Sequence, residues 1–243
     1  DGQLSSQADI TVQAATLLNT GGLVVGDARV ELTTASSSWG GALASSDTVT
    51  LNLAGDYIND GRLSAQNLLS INAANITNQA GAVLTAGNTL AATTGNLINH
   101  GEISAGVLNL TARGTLTNRS IEGATEALID GDRVVLSAQT LDNSARLFGT
   151  DLRINADTIN NTGRGTLAAR EHLEIGARIL NNCALGANGD DCARPADPAT
   201  ITTVEPLILS LGDIRIGGSL DANGAVTGTM QRLTNASARI EAI

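Results

Sequence analysis

The chain has 243 residues, of which only three are aromatic: one Trp, one Tyr and one Phe. Its formal net charge of −10 argues against nucleic acid, heparin-like polymers and anionic membranes as partners. All 14 basic residues are Arg, which excludes a P-loop lysine, a Schiff-base lysine and a Ser-x-x-Lys nucleophile. No run of about 18 apolar residues occurs, so we expect no membrane insertion.

One phrase recurs along the chain: an apolar residue, any residue and an Asn, followed by a turn and a short apolar strand. From Asn59 to Asn182, successive copies follow one another at intervals of roughly 20 residues. A nearly fixed period of this length is typical of a solenoid. The repeat residues are Asn19, Asn59, Asn78, Asn99, Asn118, Asn143, Asn161, Asn182 and Asn235.

The sequence of one repeat predicts its geometry. Between Asn59 and Asn78, apolar and small polar residues alternate with period two, which is typical of strands with one buried face. Asn, Asp and Gly separate the strands and allow tight turns. No window shows a helical apolar stripe with caps. Strands this short are stable only as stacked coils, and parallel crossovers are normally right-handed. We therefore predict an all-β fold, a right-handed parallel β-helix (β-solenoid) with about 20 residues per coil.

Stacking of the coils predicts a role for the repeat Asn residues. About ten coils at the ordinary strand spacing would form a rod of roughly 45–50 Å. Each Asn amide is then expected to bond the backbone or the next amide, which would form a structural Asn ladder. The interior would consist of Leu, Ile, Val and Ala, because a narrow coil has little room for rings. We assign these Asn residues a structural role rather than a binding role.

Two stretches interrupt the period before the cysteines. Residues 33–54 lack the Asn phrase, and their length suits either a whole coil or a hairpin laid on the rod. This stretch contains Trp39, which we interpret as a hydrophobic lid over one side of the coil rather than an exposed contact. Residues 119–126 add a short loop.

The third interruption, residues 183–206, contains both cysteines and all three prolines. Proline cannot donate to a sheet, so we expect this stretch to lie outside the stacked strands. Cys183 and Cys192 are close in sequence, and we expect a disulfide, the alternative being two free thiols. Closing so short a loop would contribute about 2–3 kcal/mol. No His or further Cys lies nearby to complete a zinc site.

These interruptions define the expected organisation of the chain. We divide it into a repeat β-helix over 1–182 with an irregular insertion at about 33–54, a Cys/Pro-rich loop insertion over 183–206, and further β-helix coils over 207–243. Both ends of the sequence match the interior of a repeat, so we expect the chain to be a segment of a longer protein.

The sequence shows no arrangement that predicts catalysis. His100 and His172 lie in different repeats and at different positions of the repeat, so we do not expect them to converge. Asp132 and Glu171 share a position but lie two coils apart, hence roughly 10 Å. Three scattered aromatic residues do not provide the platform that a sugar-cleaving cleft needs. We expect no catalytic, cofactor-binding or metal site.

The series of x-Leu-x-Asn-x-Gly-x-Leu/Ile-x-Ala phrases resembles the haemagglutinin repeats of filamentous-haemagglutinin-like exoproteins. The match covers residues 1–182, and residues 207–243 resemble a segment that such proteins carry after a repeat block. The family comprises large Gram-negative adhesins and contact-dependent growth-inhibition effectors exported by two-partner secretion. The resemblance implies a right-handed β-helical filament, unfolded passage through an outer-membrane transporter, and display as a secreted protein on the cell surface.

The expected function is a structural filament segment that extends an adhesive or toxin-delivery tip from the cell, with no enzymatic activity. The expected partner is the outer-membrane two-partner-secretion transporter during export. One alternative is an adhesive module that binds a target-cell receptor or glycan through residues 33–54 and 183–206. A less favoured alternative is a polysaccharide-active β-helix enzyme. The repeats do not distinguish adhesins from toxin-delivery proteins, and no toxin domain is visible.

Overall fold

The computed structural model describes residues 2–39, 41–184, 192 and 205–243, and residues 36–39 through their backbone. These parts of the chain contain strands and turns and no helix. The strands are β1 Gln3–Ser6, β2 Ile10–Leu18, β3 Leu23–Gly26, β4 Arg29–Trp39, β5 Ala42–Ser45, β6 Thr48–Leu53, β7 Tyr57–Asn59, β8 Arg62–Ala65, β9 Leu68–Asn72, β10 Asn75–Asn78, β11 Val83–Ala86, β12 Thr89–Thr94, β13 Asn96–Asn99, β14 Glu102–Asn118, β15 Leu128–Asn143, β16 Arg146–Thr162, β17 Thr166–Cys183, β18 Leu207–Ser210, β19 Asp213–Gly217, β20 Ser219–Leu220, β21 Val226–Thr227, β22 Arg232–Ala236 and β23 Arg239–Ala242.

The strands form the three sides of a solenoid, and strands of successive coils pair in parallel. The first side contains β1, β3, β5, β8 and β11, the beginnings of β14–β17, and then β18 and β23. The second side contains the beginnings of β2 and β4, then β6, β9 and β12, the middles of β14–β17, and β19. The third side contains the ends of β2 and β4, then β7, β10 and β13, the ends of β14–β17, and β22.

We number the coils by their third-side strands in chain order, so that β2 belongs to coil 1 and β22 to coil 10. Nine parallel pairings connect these ten strands within the described residues, which corresponds to nine turns of the chain. The structure therefore confirms the predicted β-solenoid with about 20 residues per coil.

The core occupies the interior of the coil and is built from residues stacked in register. Leu69 pairs with Leu90 on the second side, and Ile76 pairs with Leu97 on the third. Each of these four side chains is at most 1% exposed. In the short strands of the regular coils, such as β11 and β12, buried positions alternate with positions nearer to solvent. Apolar residues from all three sides thus form one continuous core along the rod.

Residues 33–54 form part of a regular coil. The backbone of Trp39 is in register with Asn59, and Leu51 pairs with Ile71. Of the two geometries expected for this stretch, the structure shows the whole coil and not the hairpin, so the pairing here is regular rather than irregular. The departure from the repeat lies in residue types: Ser37 stands in register with Leu17 and Tyr57, and Trp39 stands where later coils have Asn. The side chain of Trp39 is outside the described part, so its interpretation as a lid stays a prediction.

Two excursions leave the coils. Residues 119–127 form the expected short loop between coils 6 and 7, where the amide of Ala127 donates to Ser120 Oγ at 2.9 Å. In coil 10, β20 and β21 form an antiparallel hairpin that was not predicted from the sequence. The amide of Leu220 donates to Asn155 Oδ1, and that of Val226 to Glu174 Oε2. The hairpin therefore lies against the outer face of the second side on coils 8 and 9.

Beyond the cysteine loop, the parallel coils resume. β18, β19 and β22 all pair with β17, and β23 pairs with β18. Most of the predicted loop insertion lies outside the described residues, and the division of the chain into three parts stays a prediction. Within the described part, no helix is long and apolar enough to cross a membrane.

Candidate functional site

A continuous row of hydrogen bonds joins Asn side chains along the inside of the third side; we call it the inner ladder. In each step, Nδ2 of one Asn donates to Oδ1 of the Asn in the next coil, over 2.7–2.9 Å. The members before Asn235 are at most 1% exposed. The row comprises Asn59, Asn78, Asn99, Asn118, Asn143, Asn161, Asn182 and Asn235.

The amides of the inner ladder also bind the turn that follows the third side. Nδ2 of Asn99 donates to the carbonyls of Gly101 and Leu128, each at 3.1 Å. A buried amide needs such partners because an unpaired donor would lose its bonds to water. The Gly of the Asn-x-Gly phrase has a packing reason: a Cβ on Gly101 would lie 2.9 Å from Asn78 Nδ2. The Asn-x-Gly phrase therefore supplies both the amide of the ladder and the room that this amide needs.

The inner ladder begins in coil 3 because Trp39 occupies the corresponding backbone position in coil 2. Asn59 Oδ1 accepts a bond from the Tyr57 hydroxyl at 3.4 Å instead. Burial, with a smaller effect of the Asp60 charge, raises the pKa of that hydroxyl far above its usual range, so it remains a donor. Asn19, which the sequence placed in the ladder, donates to the carbonyl of Gly22 at 3.1 Å. That bond lies within its own turn.

Asn235 forms the far end of the inner ladder, and it is exposed. Its Nδ2 donates to the carbonyl of Ala238 at 3.1 Å. The hydrogen bonds establish the spatial arrangement of the ladder. That these Asn residues stabilise the rod stays a prediction.

Three shorter rows of amides, the outer ladders, were missed by the sequence analysis. In each row, an Asn donates Nδ2 to the Oδ1 of the residue in the preceding coil, and the row begins with an Asp. The signal was present as Asp or Asn recurring at the repeat spacing beside the turns. The rows are Asp47–Asn67–Asn88, Asp56–Asn75–Asn96 and Asp142–Asn160–Asn181.

A groove of about 670 Å³ runs along the corner between the first and second sides. Asp130, Asp132, Phe148 and Arg170 line it, together with Gly and Ala residues. Burial raises the pKa of Asp130, and the neighbouring charges of Asp132 and Glu102 raise it further. The groove is thus a partly apolar surface with carboxylates at one point.

The structure separates the titratable residues that the sequence analysis compared. Asp132 lines the groove, whereas Glu171 lies beside Asp151 and His172. His100 follows the inner ladder at a turn, and its Nδ1 lies 2.7 Å from the carbonyl oxygen of Arg119. His172 lies on the second side, in register with Asp151. Proximity of Asp151 to Glu171 was not predicted.

Cys183 ends β17 and is fully buried, and the structure joins it to Cys192 with a Cα–Cα distance of 5.7 Å. Its backbone pairs with Ala236, so one end of the expected loop is fixed in coil 9. The formation of this bond in the protein stays a prediction.

Comparison with known proteins identifies the family. The sequence profile described as Haemagglutinin repeat matches residues 1–48 and 44–120. The chain is also 35% identical, over 240 residues, to the deoxyribonuclease CdiA of Dickeya dadantii strain 3937. The chain belongs to the haemagglutinin-repeat family. The resemblance drawn from the sequence is thereby confirmed. The alignment covers 94% of the haemagglutinin-repeat chain but only 7% of that relative. No solved structure matches the chain.

The inner ladder can be tested at its centre. Replacing Asn99 with Ala should lower the free energy of unfolding by about 1–3 kcal/mol, because it removes one hydrogen bond each from the buried amide of Asn78 and from the carbonyls of Gly101 and Leu128. The matched control is Asn96→Ala, which removes an exposed amide of the same coil and should change stability by less than about 0.5 kcal/mol. Thermal and urea denaturation measure both. Unchanged melting temperatures for Asn99→Ala and Asn143→Ala would contradict a stabilising ladder.

The pH dependence of an isosteric variant tests the direction of the same hydrogen bonds. Asn99→Asp keeps the shape but places a carboxylate against the oxygens of Gly101, Leu128 and Asn118. Burial and these acceptors should raise the pKa of the new carboxyl above about 4. The folded state then binds the proton more tightly than the unfolded state. Stability relative to the native chain should therefore fall as pH rises through the raised pKa and recover on acidification.

Denaturation at about pH 4.5 and pH 8 measures this difference. The exposed Asn96→Asp variant serves as the control and should show a much smaller change between the two pH values. A destabilisation by Asn99→Asp that does not depend on pH would show that the buried amide donors are not needed at this position.

The disulfide should hold the loop rather than the rod. Protein purified under oxidising conditions should contain no free thiol by mass spectrometry. Reduction, or Cys192→Ser, should lower the free energy of unfolding by no more than about 2–3 kcal/mol. Hydrogen exchange should increase near residues 183–206 and stay slow in coils 3 to 8, where the core and ladder lie. Two free thiols would refute the bond, and global unfolding on mild reduction would refute its local role.

Proposed function

We propose that the haemagglutinin-repeat chain is a structural filament segment of a large exoprotein displayed on the surface of a Gram-negative cell. In this role it extends an adhesive or toxin-delivery tip away from the cell. The observation that carries the proposal is the uninterrupted parallel pairing from coil 1 to coil 10 over a single core. Each coil adds about 4.8 Å to the rod, so each repeat of the sequence contributes length and stiffness to the filament.

The same architecture suits export as an unfolded chain through an outer-membrane two-partner-secretion transporter. Apart from the hairpin of coil 10, which reaches Asn155 on coil 8, strand pairing joins adjacent coils only, so folding can begin at one coil and propagate to the next. The Asn–Asn hydrogen bonds of the inner ladder also join adjacent coils only. A chain emerging from a pore can therefore fold coil by coil, without waiting for a distant partner.

We propose that this segment itself has no catalytic activity. The relative from Dickeya dadantii is named a deoxyribonuclease, but the chain spans 7% of it and the matching profile is that of the repeat. We assign any toxin or adhesive activity to other parts of the parent protein. The net charge of −10 also disfavours direct binding of nucleic acid.

The groove at the corner of the first and second sides favours a second candidate, an adhesive module that binds a receptor or glycan. Phe148 offers an apolar contact there, and Asp130, Asp132 and Arg170 offer hydrogen bonds. We propose the groove as a further surface for this module, beside the stretches 33–54 and 183–206. The enzyme alternative would depend on the same Asp130 and Asp132, and a single Phe does not provide an aromatic platform for a polysaccharide.

Deletion of whole coils distinguishes a filament segment from a binding module. Removing Leu69–Val107 takes out two coils and joins Leu68 to Leu108 in register, because Leu69, Leu90 and Leu108 occupy one stacked position. The shortened chain should fold into a rod about 10 Å shorter, as measured by small-angle scattering. The parent protein carrying this deletion should still reach the cell surface and keep the activity of its tip.

The matched control deletes one more residue, Leu69–Leu108. It places Asn109 at the inward position of Leu108, which reverses the faces of the rest of that strand. This variant should be protease-sensitive and poorly displayed. The in-register deletion also removes part of the groove wall, Thr85–Gly87 and Ser104–Gly106. Correct folding and display with loss of tip activity would therefore support the adhesive module over the filament segment.

A further inference from the structure

A group of potential metal ligands lies on the second side, apart from the ladders. Asp151, His172 and Asp213 occupy one stacked position on coils 8, 9 and 10. Glu171 precedes His172 on the same strand. One ligand atom from each of Asp151, Glu171 and His172 lies within 4.8 Å of the other two. Two carboxylates and an imidazole therefore meet at one point of the rod.

A local irregularity of the sheet accounts for the position of Glu171. Gly149 pairs with Ala169, and Asp151 pairs with His172, so β17 has one more residue than β16 between these pairs. This register shift is a bulge, and an extra residue in a bulge turns a side chain in a new direction. Without this extra residue, Asp151 would pair with Glu171; with it, Asp151 pairs with His172, and Glu171 lies beside both.

The hydrogen bonding of Asp151 provides a second, independent observation that supports a bound cation. Its Oδ1 is buried and has no hydrogen-bond partner among the described residues. A buried carboxylate oxygen without a partner is unfavourable, and a bound cation would supply one. A divalent cation would also offset the repulsion between the carboxylates of Asp151 and Glu171.

The next coil provides support for the imidazole. His172 Nδ1 lies 3.9 Å from Asp213 Oδ2, and Asp213 is itself held by Arg215 at 2.9 Å. Arg215 also pairs with Glu174 at 2.8 Å, which fixes its position against coil 9. The His172–Asp213 separation is an ion-pair distance rather than a hydrogen bond. If the ring moved to hydrogen-bond distance on binding a metal, Asp213 would orient it, as carboxylates behind ligating imidazoles commonly do.

We propose that Asp151, Glu171 and His172 form a binding site for a divalent transition-metal ion, and that Asp213 positions His172. Zn²⁺ is the best chemical match, because imidazole favours it over Mg²⁺ and Ca²⁺ and it accepts carboxylate ligands. Three protein ligands leave one coordination position open for water or for a side chain of another molecule. This proposal differs from the expectation, drawn from the sequence, that the chain holds no metal.

Titration of the untagged chain with Zn²⁺ tests the proposal. Calorimetry should show one ion per chain. Glu171→Gln and His172→Gln should each weaken the affinity by roughly tenfold or more, and Asp213→Asn should weaken it while preserving the stoichiometry. His100→Gln is the matched control, since it removes the chain's other histidine at a distant turn, and it should leave the affinity unchanged.

Substitution with Co²⁺ separates coordination from positioning. The native chain should give the visible absorption of Co²⁺ bound to nitrogen and oxygen, Asp213→Asn should shift that spectrum, and His172→Gln should abolish it. If His172→Gln does not fold, the exposed Glu171→Gln still decides the matter, because its backbone contacts are retained. Absence of saturable Zn²⁺ binding by the native chain would overturn the proposal. Equal weakening by His100→Gln and His172→Gln would overturn it as well.

Discussion

The parallel register between successive coils is the constraint on which the rest of the structure depends. Because each coil lies directly over the one before it, every residue faces its counterpart in the neighbouring repeat. Apolar residues tolerate this arrangement, as in the pairing of Leu69 with Leu90. Asn tolerates it as well, since one amide can donate to and accept from an identical amide. Like charges do not, and this explains why charge alternates in coils 8 to 10, where Arg153, Glu174 and Arg215 form one stacked position.

Hydrogen-bond chemistry also gives the ladders a direction. In the inner ladder, each Nδ2 donates toward the following coil, whereas in the outer ladders it donates toward the preceding one. An ionised Asp can only accept, so in the outer ladders it can stand only at the end toward which the amides donate. Asp47, Asp56 and Asp142 occupy that end. An Asp within the inner ladder would break it, and the buried members of that ladder are accordingly all Asn.

The period of the Asn phrase was sufficient to predict the solenoid and most of the inner ladder, because buried amides impose a strong preference at one position. The features that the period did not predict arise where spacing and register diverge. The repeat spacing related Glu171 to Asp132, whereas the bulge lets both Glu171 and His172 lie beside Asp151. The hairpin of β20 and β21 has no Asn phrase, and its contacts with Asn155 and Glu174 join residues that are distant in the sequence. Such contacts leave no periodic signal.

The departures from the repeat are concentrated toward one part of the rod. Coils 3 to 5 pair in regular register, and the inner ladder runs through them unbroken. From coil 6 onward, the described residues carry two register shifts, the hairpin, the group around His172 and the attachment point of the cysteine loop. The regular coils need only the core and the inner ladder to stack, whereas coils 8 to 10 add the hairpin and the residues of the proposed Zn²⁺ site.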